Sequence, residues 1–219
     1  IVEESIELLL AAGIQDVIVV TGHLAEQYDE LARGRAGLVQ TVHNDRFADS
    51  GSMYSLHCAR ERVQGPFLLL ESDLVYEPRA LTTLLAGPAE DAILLSGPTG
   101  AGDEVFVATR GGFLAGMSKR RADLAGEVTG ELVGITRVSP GLFVLMCRIA
   151  EAAFKRSLMF DYETDCLVAA GRERPIACPL VPDLLWGEID DPAHLARVRD
   201  EVYPQLQRRQ PGSVAPPRH

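Results

Sequence analysis

The chain has 219 residues, 47% hydrophobic and 24% charged, enough to bury a sizeable core in one domain. A net charge of −10 and a pI near 5.0 argue against a protein that binds a nucleic-acid backbone, although amides, a few cations and a metal can still hold a small anionic nucleotide. Apolar runs such as Val17 to Val20 and Leu68 to Leu70 are too short to cross a bilayer, and Cys58, Cys147, Cys166 and Cys178 form no metal-binding or C-x-x-C pattern, so they are read as reduced thiols of a cytoplasmic protein with no membrane and no nucleic-acid partner.

The opening IVEESIELLLAAGI puts Ile6, Leu9, Leu10 and Ile14 on one helical face, with Gly13 as the stop. DVIVVTG then reads as a strand, AEQYDELARG as a helix and GLVQTVHN as a second strand, an α/β alternation. After the polar FADSGS, the spacing of Met53, Leu56 and Ala59 predicts a helix, and PFLLLESD is a continuous apolar run of the kind expected for a central parallel strand. Pro78 opens a short helix and DAILLSG adds a strand. Between Gly97 and Ser139 the runs EVFVATR, GFLAGMSK and ELVGITRVS, split by glycines, predict an antiparallel section beside the main sheet. Helices return at PGLFVLMCRIAEAAFKR, DYETDCLVAAGR and PAHLARVRDEVYPQL, with PIACPLVPD as a strand and LLWGEIDD as an extended segment before the last helix. Residues 207–219 are Pro- and Arg-rich and read as a disordered tail or linker.

Asp73 closes the apolar strand, so its carboxylate emerges at the sheet edge where open α/β folds bind ligands; it is either a metal ligand or a cap on the turn before Pro78. The segment WGEIDDP favours the metal. Glu188 and Asp190, two apart on an extended stretch, point the same way, and paired carboxylates suit a hard divalent cation such as Mg2+. Asp191 fits an N-cap for the helix opening at Pro192. Ser50, Gly51 and Ser52 lead into a helix, whose free N–H groups would suit a phosphate or a base carbonyl, or form a plain cap. Lys119, with Arg120 and Arg121, is a basic turn that either holds a phosphate or lies on solvated surface.

Taken together, HNDRFADSGSMYSLHCAR, FLLLESDLVYEP, GDEVFVATRGGFLAGMSKRR, GELVGITRVS, FDYETDCL and LLWGEIDDPAHLARVRDEVYPQL resemble the nucleotidyltransferase domain of 2-aminoethylphosphonate cytidylyltransferases. The likeness spans residues 1 to about 206, and the sequence is more broadly similar to bacterial choline-phosphate cytidylyltransferases and sugar-1-phosphate nucleotidyltransferases. It implies a Rossmann-like three-layer α/β/α nucleotidyltransferase fold with a mixed central sheet, in a domain of residues 1–206 whose first strand and glycine-rich loop are absent from the chain. It further implies Mg2+ on Asp73, Glu188 and Asp190, with catalysis resting on Asp73 and on Lys119 against a phosphate. Ser50, Gly51 and Ser52 would contact the nucleotide, and Asp161, Tyr162 and Glu163 would line the acceptor side, where charge and a ring face could hold an ammonium group.

The activity implied is transfer of CMP from CTP to 2-aminoethylphosphonate with release of pyrophosphate, in phosphonate biosynthesis. The domain also occurs fused to a transaminase in some proteins, and a fusion or association of that kind and a homodimer are among the partnerships the likeness allows. Choline phosphate and sugar 1-phosphates are the rival acceptors. An aromatic content of 6%, with one Trp, leans away from a quaternary-ammonium cage and towards a primary amine. A non-catalytic nucleotide-binding module is the rival outside enzymes.

Overall fold

The computed structural model describes residues 1–209. Helix α1 (Val2–Ala11) buries Ile6 and Leu9 and stops where Gly13 takes φ +90°, a conformation that a side chain would strain. Strand β1 (Val17–Thr21), α2 (Ala25–Gly34) and β2 (Val39–His43) follow, with the two strands parallel and Val17 opposite Val39. This is the alternation expected from the period change in the sequence. Next come α3 (Ser52–Cys58), β3 (Phe67–Leu70), β4 (Leu74–Tyr76), α4 (Arg79–Ala86) and β5 (Ala92–Ser96).

Strands β6 (Phe106–Arg110), β7 (Phe113–Ser118) and β8 (Val128–Val138) are antiparallel neighbours, as predicted for the glycine-split region. Their role is larger than that of an added flap. The 11-residue β8 pairs with β6 near its start, with β3 near its end and with β5 along its other edge, which makes it the central strand of the sheet. The expectation of a parallel strand at PFLLLESD is corrected: β3 runs antiparallel to β8, from Phe67 opposite Val138 to Leu70 opposite Ile135. An unbroken apolar run reports burial on both faces, and burial does not fix strand direction.

Helix α5 (Pro140–Phe154) is capped by the Ser139 side chain, which accepts from the Leu142 N–H. A π-helical turn (Tyr162–Leu167) leads into α6 (Val168–Gly171), and β9 (Leu180–Val181) pairs parallel to β5. Strand β10 (Trp186–Glu188) then pairs antiparallel with β4 before α7 (Pro192–Arg197), a second π turn (Val198–Val202) and α8 (Tyr203–Arg209). The boundary read between residues 206 and 207 falls inside α8, where Arg209 reaches the buried Glu77 at 3.2 Å. Residues 210–219 of the expected tail lie outside the described residues.

Alternation along β5 shows the layering. Ile93 and Leu95 join a core with Met53, Leu142, Met146 and Cys166, while Ala92 and Leu94 join another with Leu9, Leu81, Leu84 and Trp186. Helices therefore cover both faces of a mixed sheet, which is the three-layer α/β/α arrangement expected from the sequence.

Candidate functional site

A cavity of about 180 Å³ opens where the chain leaves β3, and its lining includes Glu71, Asp73, Asp103, Glu104, Glu163, Glu188 and Asp190. Lys119 and Arg197 are the cationic side chains of that lining. Four separate segments thus bring seven carboxyl groups to one small space that holds two cations.

The backbone explains why. Glu71 follows the last residue of β3, and its N–H donates to the Gly134 carbonyl at 3.1 Å. Gly134 sits at φ +76°, and a Cβ there would lie 2.2 Å from Glu71 Oε2, so only glycine lets β8 pass beneath that carboxylate. Asp73 occupies the turn into β4. Because β4 pairs with β10, with Leu74 opposite Glu188, the turn that carries Asp73 meets the end of β10 that carries Glu188 and Asp190. Asp191 does not join them. Its carboxylate accepts from the N–H groups of Ala193 and His194 at 2.7 and 2.8 Å, capping α7 as its position predicts.

Crowded and partly dehydrated carboxylates resist ionisation. Burial raises the pKa of Asp73, and neighbouring Asp190 raises it further. Glu188 is raised by burial and then by Asp103 in the same way. Glu71 is pushed up to about 7, first by burial and then by the charge of Glu163, although the Tyr162 hydroxyl donates to its Oε1 at 2.9 Å. Burial also raises Glu163, against the pull of Lys119.

The donor set suits a cation. Asp73 Oδ1 and Asp103 Oδ1 are buried with no hydrogen-bond partner, and an orphaned anionic oxygen is a ligand in search of a positive charge. Asp73, Glu188 and Asp190 offer oxygen ligands of the type that hard divalent ions take. Among the described residues, however, the trio whose ligand atoms lie within 4.8 Å of one another is Asp103, Asp190 and His194, with His194 Nε2 at 3.6 Å from Asp103 and Nδ1 at 3.9 Å from Asp190; of the three carboxylates read from the sequence as metal ligands, Asp190 alone belongs to it.

Of the residues read from the sequence, the cavity collects Asp73, Lys119, Glu163, Glu188 and Asp190. Ser50, Gly51, Ser52, Asp161 and Tyr162 are not part of its lining. The S-G-S stretch bonds to the chain running into the first π turn and to that turn itself: Gly51 N–H donates to Leu158 O, and Ser52 Oγ donates to Glu163 Oε2 at 3.1 Å. Ser52 N–H donates to Asp161 Oδ1 at 3.3 Å, and Ser50 Oγ accepts from Asn44. Tyr162 is 3% exposed with its hydroxyl committed to Glu71, so it presents no ring face to an acceptor. In the basic turn, Arg120 pairs with Asp123 and Arg121 lies 4.2 Å over the Phe106 ring, which leaves Lys119 to face the cavity.

Sequence reasoning missed Glu71, Asp103, His194 and Arg197. Glu71 had a signal, since it stands two residues before Asp73 in a segment that the sequence pattern reads as extended, where residues two apart share a face. His194, four residues after Asp190 at the start of a helix, had a weaker one. Asp103 sits in a glycine-rich loop whose path depends on distant contacts: Thr99 donates to the buried Glu131 through both N–H and Oγ1, each at 2.8 Å.

Comparison with known proteins places this geometry. No family model matches the chain. It is 32% identical over 200 residues to a protein of Streptomyces rubellomurinus described as CMP-5'-(3-aminopropyl)phosphonate synthase, an alignment covering 84% of this chain and 31% of that relative. A choline-phosphate cytidylyltransferase of Streptococcus pneumoniae is 36% identical over 69 residues, 32% of this chain and 29% of that protein. The alignments thus take in less than a third of the length of either curated relative. Among solved structures, the inositol-1-phosphate CTP transferase from T. maritima superposes with a TM-score of 0.77 at 16% identity, covering 94% of this chain and 82% of that one. The fold is the Rossmann-like α/β fold of the nucleotidyltransferases.

Proposed function

We propose that this chain is a cytidylyltransferase domain that moves CMP from CTP to a short aminoalkylphosphonate, 2-aminoethylphosphonate being the acceptor we favour, with release of pyrophosphate. The observation that carries the reading is the convergence of Asp73, Glu188 and Asp190 with Lys119 in one cavity at the end of β3. The cytidylyl and phosphonate chemistry in the name of the Streptomyces relative supports the substrate class.

In the reaction, a phosphonate oxygen of the acceptor attacks the α-phosphorus of CTP. A new P–O–P linkage forms, the bond from the α-phosphorus to the bridging oxygen breaks, and its electron pair leaves with pyrophosphate. Asp73, Glu188 and Asp190 would hold Mg2+, which when bound supplies Lewis-acid charge to the phosphoryl oxygens. Lys119 neutralises phosphate charge and fixes its position, so orientation and electrostatics do most of the work and no protein nucleophile is required. Among the described residues Trp186 is the single aromatic side chain lining the cavity, which gives a quaternary ammonium no cage and favours a primary amine held by carboxylates.

Pyrophosphate release from CTP, measured with 2-aminoethylphosphonate, 3-aminopropylphosphonate, phosphocholine and a hexose 1-phosphate offered separately, tests this reading. The aminoalkylphosphonates should be turned over at the highest kcat/KM. Preference for phosphocholine or the sugar phosphate would overturn the acceptor, and CTP binding without turnover of any acceptor would overturn the enzyme.

A further inference from the structure

We propose that Arg197, with the Trp186 indole, forms an oxyanion site for a phosphoryl or phosphonyl group within the same cavity. Two buried N–H donors lack acceptors there: Arg197 Nε and Trp186 Nε1 have no hydrogen-bond partner, and both side chains line the cavity. The absence is informative because carboxylate oxygens abound in that space. A buried donor left unpaired is costly, and a guanidinium among carboxylates would normally find an acceptor. Trp186 is 7% exposed and cannot turn to solvent for a partner. A phosphoryl or phosphonyl oxygen in the cavity supplies the acceptor both donors lack.

The backbone is shaped to admit the guanidinium. A Cβ on Gly187 would stand 3.0 Å from Arg197 Nη2 and 2.9 Å from Val198 Cγ2, so glycine in W-G-E lets the guanidinium lie against β10. Arg197 is also the last residue of α7, where the helix dipole favours a cation, and the Asp191 cap fixes the other end of that helix. The guanidinium, a planar fork of donors in the lining it shares with Asp73, Glu188 and Asp190, matches the geometry of phosphoryl oxygens.

This inference rests on the cytidylyltransferase reading for its ligand. The shared chemistry is a phosphorus oxyanion, which the acceptor's phosphonate or the nucleotide's phosphates can supply. Steady-state kinetics of Arg197→Ala and Arg197→Lys, with KM measured separately for CTP and for 2-aminoethylphosphonate, tell the two apart. Removing a charge-assisted hydrogen bond should raise one KM by about tenfold or more, with partial recovery in the lysine variant and an unchanged melting temperature. A rise in the acceptor KM assigns the phosphonate, a rise in the CTP KM assigns the triphosphate, and either supports the site. Calorimetric titration of wild type and Arg197→Ala with methylphosphonate and with pyrophosphate gives a readout even if no acceptor is turned over. Equal binding of both probes by the two proteins, or unchanged KM values in both variants, overturns the proposal.

Discussion

The N–H of Ile189 donates to the carbonyl of Asp73 at 3.2 Å, so the main chain itself ties the turn after β3 to the end of β10. The carboxylates of Asp73 and Asp190 owe their proximity to this link and to the β4–β10 pairing. It follows that substituting either side chain leaves the scaffold in place. Asp73→Ala and Asp190→Ala should each lower kcat for pyrophosphate release by at least about 100-fold, since positioned charge of this kind is worth several kcal/mol in phosphoryl transfer. Their circular dichroism should match wild type. A variant of Asp190 that keeps a near-normal rate with Mg2+ would remove it from the proposed metal site.

Metal binding should also be visible in stability. Glu71, Asp73 and Glu188 are held above their ordinary pKa by burial and by neighbouring carboxylates, so a divalent ion that neutralises the cavity binds the folded state selectively. At about 100 times its Kd, Mg2+ should add about 2.7 kcal/mol. For a domain of this size that is a rise of roughly 5–10 °C in Tm by differential scanning fluorimetry. The shift should vanish in the Asp73→Ala, Asp190→Ala double variant; a wild-type protein indifferent to Mg2+ and Mn2+ alike contradicts the assignment.

Asp191 is a structural residue in a catalytic-looking motif. Its carboxylate satisfies two N–H groups at the start of α7, so Asp191→Ala should cost about 1 kcal/mol, or about 2–4 °C in Tm. Asp191→Asn should recover most of that loss, because an amide oxygen also caps. Loss of activity without loss of stability would mean that the carboxylate acts on substrate instead.

The cysteines separate by burial. Cys166 and Cys178 are pushed up to about 12 by dehydration, whereas Cys58 and Cys147 are partly exposed, with smaller upward shifts also led by burial. At pH 8 the thiolate fraction of the first two is on the order of 1 in 10,000. Iodoacetamide should therefore label Cys58 and Cys147 first, with all four reacting after denaturation, as read by mass spectrometry. Early labelling of Cys166 would show that the core around α5 opens.

What the sequence determined by itself is local. The alternation of helices and strands, the cap at Asp191, and the acidic ends of two apolar segments at Asp73 and at Glu188 with Asp190 all follow from neighbours a few residues apart. Hydrophobic period and turn chemistry are written at that range. Tertiary structure alone decided that β8, interrupted by Gly134, is the hub of the sheet, and that β3 runs antiparallel to it. It also decided that Ser52 faces Asp161 and Glu163, and that Asp103 and Arg197 enter the cavity. Those relationships join residues far apart in the chain. Strand direction and loop path depend on which distant surfaces bury one another, and an amphipathic pattern records only that a face is buried, not what covers it.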